Sequence, residues 1–314
     1  MNVKKVFRVF KFIPKAFSRF IDDRGIKLSA ALAFYTVFSL PSLLFMLIGL
    51  GGWFLGEEAI RGEIFSQISG FVGSEAAKDI QEMLKKTSID RTNVWASIIG
   101  GVSLWFIATG VFAEIQDSIN FVWGLRAKAK KGLISLVIHR LLSFSMILVL
   151  GFILLVSLVL TSLLAAFIGK LKALFPDDIV NLFFVLNYVI TFAVILILFA
   201  LIFKLLPDAR IKFRDVLPGA VFTSILFIIG KFAITYYLTN FSNIKVYGAA
   251  GSVILIILWV YYSAIILYLG AEYTQVYLME TGKKITPLPF AEVVDDKLNK
   301  KVEENKPKEK AISR

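Results

Sequence analysis

Cysteine is absent from this 314-residue chain, and histidine occurs once, as His139. Disulfides and thiolate-held metals are thereby excluded, and a centre built from several imidazoles is impossible. Charge is scarce as well, with Asp, Glu, Lys and Arg together making 18% of the residues. Over Leu28 to Leu55 it vanishes, leaving twenty-eight consecutive residues without a charged side chain. Glycine-rich stretches occur, but none in a strand–loop–helix context, so no nucleotide site and no cofactor is predicted. No internal repeat is visible, and an inverted-repeat transporter therefore has no support.

What fills the chain instead is apolar. Hydrophobic residues make up 57% and the mean hydropathy is +0.76, against about 45–50% apolar in soluble proteins. A helix over residues 28–55 would be about 42 Å long, enough to cross a hydrocarbon core of about 30 Å. Five further stretches nearly free of charge follow, and together they predict an all-α polytopic membrane protein. Its six spans lie at 28–55, 94–112, 138–168, 179–206, 216–238 and 252–279.

The first span is more than an anchor. Ala30 and Ala33, with Ser29, Tyr35 and Thr36, supply the small and hydroxyl side chains that suit close helix contact in lipid. Pro41 falls mid-span and removes one rung of the hydrogen-bond ladder, which predicts a kinked helix. The freed carbonyl must then be satisfied by Ser39, Ser42 or another helix.

Lys and Arg alternate between the connections. Residues 1–27 hold eight against two Asp, and residues 281–314 hold nine against six Asp/Glu, so the ends carry +9 of the net +12. Such flanks point to a membrane surface rather than nucleic acid. The 2–3 and 4–5 connections are basic and short, whereas the 3–4 and 5–6 connections hold two and one Lys/Arg. Both termini are therefore expected in the cytoplasm. Residues 1–27 read as a basic amphipathic cytoplasmic helix bent at Pro14, residues 56–93 as an outer loop, and residues 280–314 as a charged disordered cytoplasmic tail.

Ionisable residues at membrane depth are the candidate sites. Arg24, Lys27, Glu114, Asp117, His139, Lys204, Arg214 and Glu272 all fall at the inner level of their spans and could line a vestibule open to the cytosol or inner leaflet. The competing reading is that each snorkels to the interface or neutralises a neighbour. Asn187 on the fourth span, Gly248 and Gly251 are read as packing positions. Partners expected are membrane lipids and an anionic lipid or solute, with no nucleic acid. A nuclease would need carboxylates or histidines gathered in water, and here they are scattered.

Ala30-Ala31-Leu32-Ala33-Phe34-Tyr35 followed by Phe38-Ser39-Leu40-Pro41 resembles the first span of the YihY/virulence factor BrkB family. Glu114 to Trp123, Leu217-Pro218-Gly219-Ala220, Tyr247-Gly248 and Leu269-Gly270-Ala271-Glu272 resemble later segments in matching order. The alanines at 249 and 250 depart from the family pattern, as do the charges of Glu114 and Asp117. The resemblance implies a bacterial inner-membrane protein of six helices. It also implies that the ribonuclease BN label borne by many members is a misassignment, and that lipid or envelope-precursor transport is among the roles to weigh. A transporter or translocase is the expected function; a non-transporting structural or scaffold protein of the envelope is the alternative.

Overall fold

The computed structural model describes residues 11–72, 77–82, 94–127, 149, 151, 153, 177–240, 249–283, 285–289 and 291–293. It is mostly helical. Helix α1 (Ile13–Asp22) is short and sided, with Phe12, Ala16 and Phe20 buried and Phe17 and Ile21 exposed. Pro14 lies in its first turn, where its missing N–H costs nothing, so it starts the helix rather than bending it. Residues 1–10 of the expected amphipathic helix lie outside the described residues. Arg24, at φ 57°, turns the chain into α2 (Gly25–Leu55). Gly25 is obligatory there, because a Cβ would sit 2.2 Å from the Phe20 ring.

Helix α2 runs unbroken past Pro41, while Ser39 and Ser42 are buried on either side of it. It leads into α3 (Glu57–Val72), whose Ile60, Ile64 and Ile68 share the face expected from their spacing. With Ile80 they pack on Leu44 and Ile48 of α2, forming a cap at one end of the bundle. The side chains of Phe71, Met83 and Leu84, which continue the apolar spacing of these segments in the sequence, lie outside the described residues.

Helix α4 (Val94–Val122) continues about three turns beyond the 94–112 stretch, as the periodicity of Ile115, Ile119 and Val122 requires. It ends in β1 (Leu125–Ala127). The third span lies almost wholly outside the described residues. Positions 149, 151 and 153 are helical, and Gly151 is buried against Leu47 of α2. Helix α5 (Asp177–Leu205), strand β2 (Ala209–Arg210), helix α6 (Phe213–Asn240) and helix α7 (Ala249–Glu280) follow. Because α6 begins at Phe213, Pro218 falls in its second turn and not in its first. Four described helices are long and apolar enough to cross a membrane, over Gly25–Gly49, Tyr188–Leu205, Phe213–Ile234 and Val253–Glu280.

Helix α7 is the hub: it touches α1, α2, α3, α4, α5 and α6. It is apolar on all sides, as a helix surrounded by other helices and lipid must be. Its approach to α6 is close. Thr274 lies over Gly219 and Thr223 over Gly270, so that a Cβ on either glycine would meet a threonine hydroxyl at 1.8–1.9 Å. Each threonine donates to the carbonyl four residues back, Thr223 to Gly219 and Thr274 to Gly270, both at 2.7 Å. The two antiparallel helices thus present the same Gly-x-x-x-Thr pattern to one another, and no hydroxyl is left unsatisfied in the contact. Further along, Tyr262 fills the space over Gly230 and donates to the Leu226 carbonyl at 2.9 Å.

The chain after α7 corrects one expectation. Gly282 (φ 70°) closes the helix, with Lys283 N–H donating to the Leu278 carbonyl at 2.9 Å. Strand β3 (Thr286–Pro287) then pairs antiparallel with β2, and β4 (Ala291–Val293) with β1. The start of the expected disordered tail is therefore structured, because β1 and β2 present backbone edges that it completes. Residues 294–314 lie outside the described residues. The segments that flank the membrane domain meet at one end of the bundle: α1 packs on the end of α7 through Phe12, Tyr273 and Val276, and Lys15 bridges Glu280 at 2.7 Å.

Candidate functional site

That end of the bundle gathers the polar residues. Glu272 is two turns from the close of α7, about 12 Å along the axis, and is fully buried. Tyr268, one turn earlier on the same face, is equally buried and lies beside Ser118 and Glu114 of α4. Ser118 is 3.5 Å from the Glu114 carboxylate, to which it donates. Glu114 stands past the 94–112 span. Burial, reinforced by the charge of Asp117, holds its carboxyl above the ordinary range, with Ser118 acting in the opposite sense. Trp123 is buried at the close of the same helix and donates from Nε1 to the Ala271 carbonyl at 3.1 Å. Helices α4 and α7 are thus joined by a polar seam with a carboxylate from each near it.

A second polar group lies next to the seam. Asp208, 4% exposed, sits in the tight α5–α6 connection. Gln116 donates to its Oδ1 and Asn120 to its Oδ2, both at 2.9 Å, while Asp208 N–H donates to Asn120 Oδ1 at 2.8 Å. Its carbonyl accepts from Leu288 N–H at 2.9 Å. Gln116 and Asn120 are four residues apart on α4 and so share a face. This spacing was the available signal; an acidic residue in a short link opposite an amide pair is a natural clamp.

The residues expected to line a vestibule are distributed as follows. Glu114, Lys204 and Glu272 are half-buried, half-buried and buried. Lys204 donates to the Ile211 carbonyl, across the α5–α6 link. Arg24, Lys27, Asp117 and Arg214 are exposed at the same end. His139 lies outside the described residues. Of the packing positions on α2, Ala33 is buried with Ser29 and Leu32, a stripe at i, i+3 and i+4. Ala30 and Tyr35 correct that expectation. Ala30 lies about 160° around the helix from Leu32, and Tyr35 about 160° from Ala33; both are exposed, Tyr35 edge-on to Phe34. The Asn187 side chain and Gly248 lie outside the described residues, and Gly251 falls in the first turn of α7. A shallow groove of about 240 Å³ between α1 and α7 is lined by Lys15, Ser18, Arg19, Val276, Met279 and Glu280. Among the described residues no group of three or more His, Cys, Asp or Glu could hold a metal ion.

The family described as Virulence factor BrkB matches residues 16–292. The chain belongs to this family. The match takes in most of α1, every described helix after it and nearly all of the segment that forms β3 and β4. Among its relatives, one from Bacillus subtilis (strain 168) bears the name "Putative ribonuclease-like protein YfkH" and is 27% identical over 83% of this chain and 93% of its own. A "UPF0761 membrane protein" of Pseudoalteromonas atlantica is 27% identical over 84% of this chain and 87% of its own. Another of that name, from Xanthomonas campestris pv. campestris, is 28% identical over 81% of this chain and 57% of its own. No solved structure matches. A BrkB-family membrane protein is what these likenesses establish, and the family description names no enzyme.

Proposed function

We propose that this protein is a transporter or translocase of the bacterial inner membrane that moves an anionic lipid, envelope precursor or solute through a polar vestibule at the end of the bundle carrying α1 and β3–β4. That end faces the cytoplasm in this reading. The observation that carries it is Glu272, a carboxylate fully buried two turns inside the apolar helix α7. A charge-bearing group at such depth is costly and is kept where it serves a pathway. Glu114, Ser118 and Tyr268 extend the polar lining towards α4. Arg24, Lys27 and Arg214, exposed at the rim, would draw an anionic headgroup, and Glu272 would hold its ammonium or guanidinium partner. Pro41 would supply the opening by kinking α2 between the buried Ser39 and Ser42.

A sealed scaffold is the second reading, favoured by the reciprocal Gly–Thr contact that holds α6 and α7 tightly. Two variants separate them. Glu272→Gln keeps the shape and removes the charge; Pro41→Ala restores the helical rung. In a deletion strain both are expected to lose complementation by at least tenfold at unchanged protein level in the membrane. Full complementation by both would overturn the transport reading in favour of the scaffold. The ribonuclease-like name of the Bacillus subtilis relative is not carried over: this chain has one histidine, and its acidic residues are scattered.

A further inference from the structure

The segment after α7 crosses the polar end of the bundle from side to side. Lys283 pairs with Asp215 at the start of α6 and stands 5.0 Å over the Tyr277 ring. Thr286 and Pro287 pair with Arg210 and Ala209 of β2, and Leu288 N–H binds the Asp208 carbonyl. A turn closed by Ala291 N–H to the Leu288 carbonyl at 2.9 Å brings the chain round to β4. There Ala291, Glu292 and Val293 face Ala127, Arg126 and Leu125 of β1. The segment therefore joins the ends of α4, α5, α6 and α7, with its own Ala291 buried and with Leu125 and Ala209 of the strands it pairs with buried too.

Two features make this joint releasable. Its ladders are two and three residues long, and a two-stranded pairing of that size is marginal by itself. Its central cross-strand pair, Arg126 opposite Glu292, is exposed on both sides, where opposite charges contribute only a few tenths of a kcal/mol to about 1 kcal/mol. Beside the apolar cluster that Ile285 and Val293 meet, it touches the polar clamp through Leu288 N–H on the Asp208 carbonyl, and Ser118 and Asn120 of the neighbouring α4 are buried with Asp208.

We propose that residues 285–289 and 291–293 form a strap that closes the vestibule, and that peeling β4 from β1 and β3 from β2 exposes the Ser118–Tyr268–Glu272 seam to water. The proposal rests on the vestibule reading above. The strap closes over α4 by the β1–β4 ladder and over the α5–α6 link by the β2–β3 ladder. Its release would free the ends of α4 and α6 from one another without breaking the Gly–Thr contact within the membrane.

The absence of native cysteine makes a clean test possible. A reporter, Ser118→Cys, is read in inverted membrane vesicles by reaction with a membrane-impermeant maleimide, with mass spectrometry of the peptide carrying position 118. Reaction should be slow in the full chain and at least tenfold faster in a chain ending at Lys283, which keeps the helix cap and the Asp215 pair. Arg126→Cys with Glu292→Cys supplies the converse. Directly opposed residues in an antiparallel ladder have Cα atoms about 4.5–5.5 Å apart, within disulfide reach. Oxidation should lower labelling of position 118 at least tenfold below the reporter alone, and a phosphine reductant should restore it. Equal labelling in the reporter chain before and after locking overturns the strap, even where the shortened chain fails to fold. The readout is solvent access, not transport. Gated labelling combined with full complementation by both Glu272→Gln and Pro41→Ala would retain the strap and remove the transport reading.

Discussion

A buried carboxylate needs donors, and at Asp208 these come from a different helix. Gln116 and Asn120 of α4 each donate to one oxygen, and the Asn120 amide also accepts from the Asp208 backbone. Removing the acceptor strands an amide N–H of the buried Asn120, at a cost of about 1–3 kcal/mol when unsatisfied, and one of the half-buried Gln116, which costs less. Asp208→Ala is therefore expected to lower the melting temperature in detergent by several degrees, with Asp208→Asn recovering part of the loss because one of its oxygens remains. Equal melting of Asp208→Ala and the parent would show that the clamp contributes nothing to stability. Read from the sequence, Asp208 was only a residue of a tight link, since nothing in a one-dimensional pattern pairs position 208 with position 120. Glu272 was legible, because a lone acid inside an apolar run is visible without a structure. Its burial was not. The exposure of Arg24, Lys27 and Arg214 was equally hidden, because sequence gives depth along a span and not direction around it.

At the scale of the helices, the spans could be read and their contacts could not. Apolar length marks where α2, α5, α6 and α7 run, and within them lie the four described stretches long and apolar enough to cross a membrane. The Gly-x-x-x-Thr pairing of α6 and α7 was hidden because the helices are apolar on every side, and no stripe marks the contact face. In lipid such a contact depends on close approach rather than on the hydrophobic effect. It follows that volume added there is expensive. Gly219→Ala puts a methyl group 1.8 Å from Thr274 Oγ1 and is expected to destabilise by about 1–3 kcal/mol. Thr274→Ala in the same chain removes the clashing hydroxyl and should return part of that loss, so that the two substitutions couple by more than 0.5 kcal/mol, roughly the least expected of residues in contact. Strict additivity of the two melting shifts would mean that the helices do not meet there. The strap is the other feature beyond the reach of pattern. Residues 285–293 lack the alternation of a strand, and only the edges offered by β1 and β2 make them one.

For the whole molecule the issue is which face of the membrane receives which end. The bundle has two unlike ends. One carries α1, β1–β4, Arg126, Arg210, Lys212 and Arg214; the other carries α3 and the helical segment 77–82, packed on Leu44, Ile48 and Ile256. The first is the Lys/Arg-rich end, and basic connections are retained on the cytoplasmic side because translocating them is disfavoured. Two exposed positions report on the two ends. Lys78 is exposed beside the buried Ala77 and Ile80, and Arg210 is exposed beside the buried Ala209 and Ile211. Asp208, two residues from Arg210, is unsuitable as a reporter because it is 4% exposed. Single substitutions Lys78→Cys and Arg210→Cys, in a chain with no other cysteine, give an unambiguous reading. An impermeant maleimide added to intact spheroplasts should label position 78 and leave position 210 unlabelled, and in inverted vesicles the preference should reverse. Labelling of position 210 from outside would place the strap and Glu272 at the outer face. The vestibule would then open away from the cytosol, and the proposed entry of a substrate from the inner side would be wrong even if transport were real.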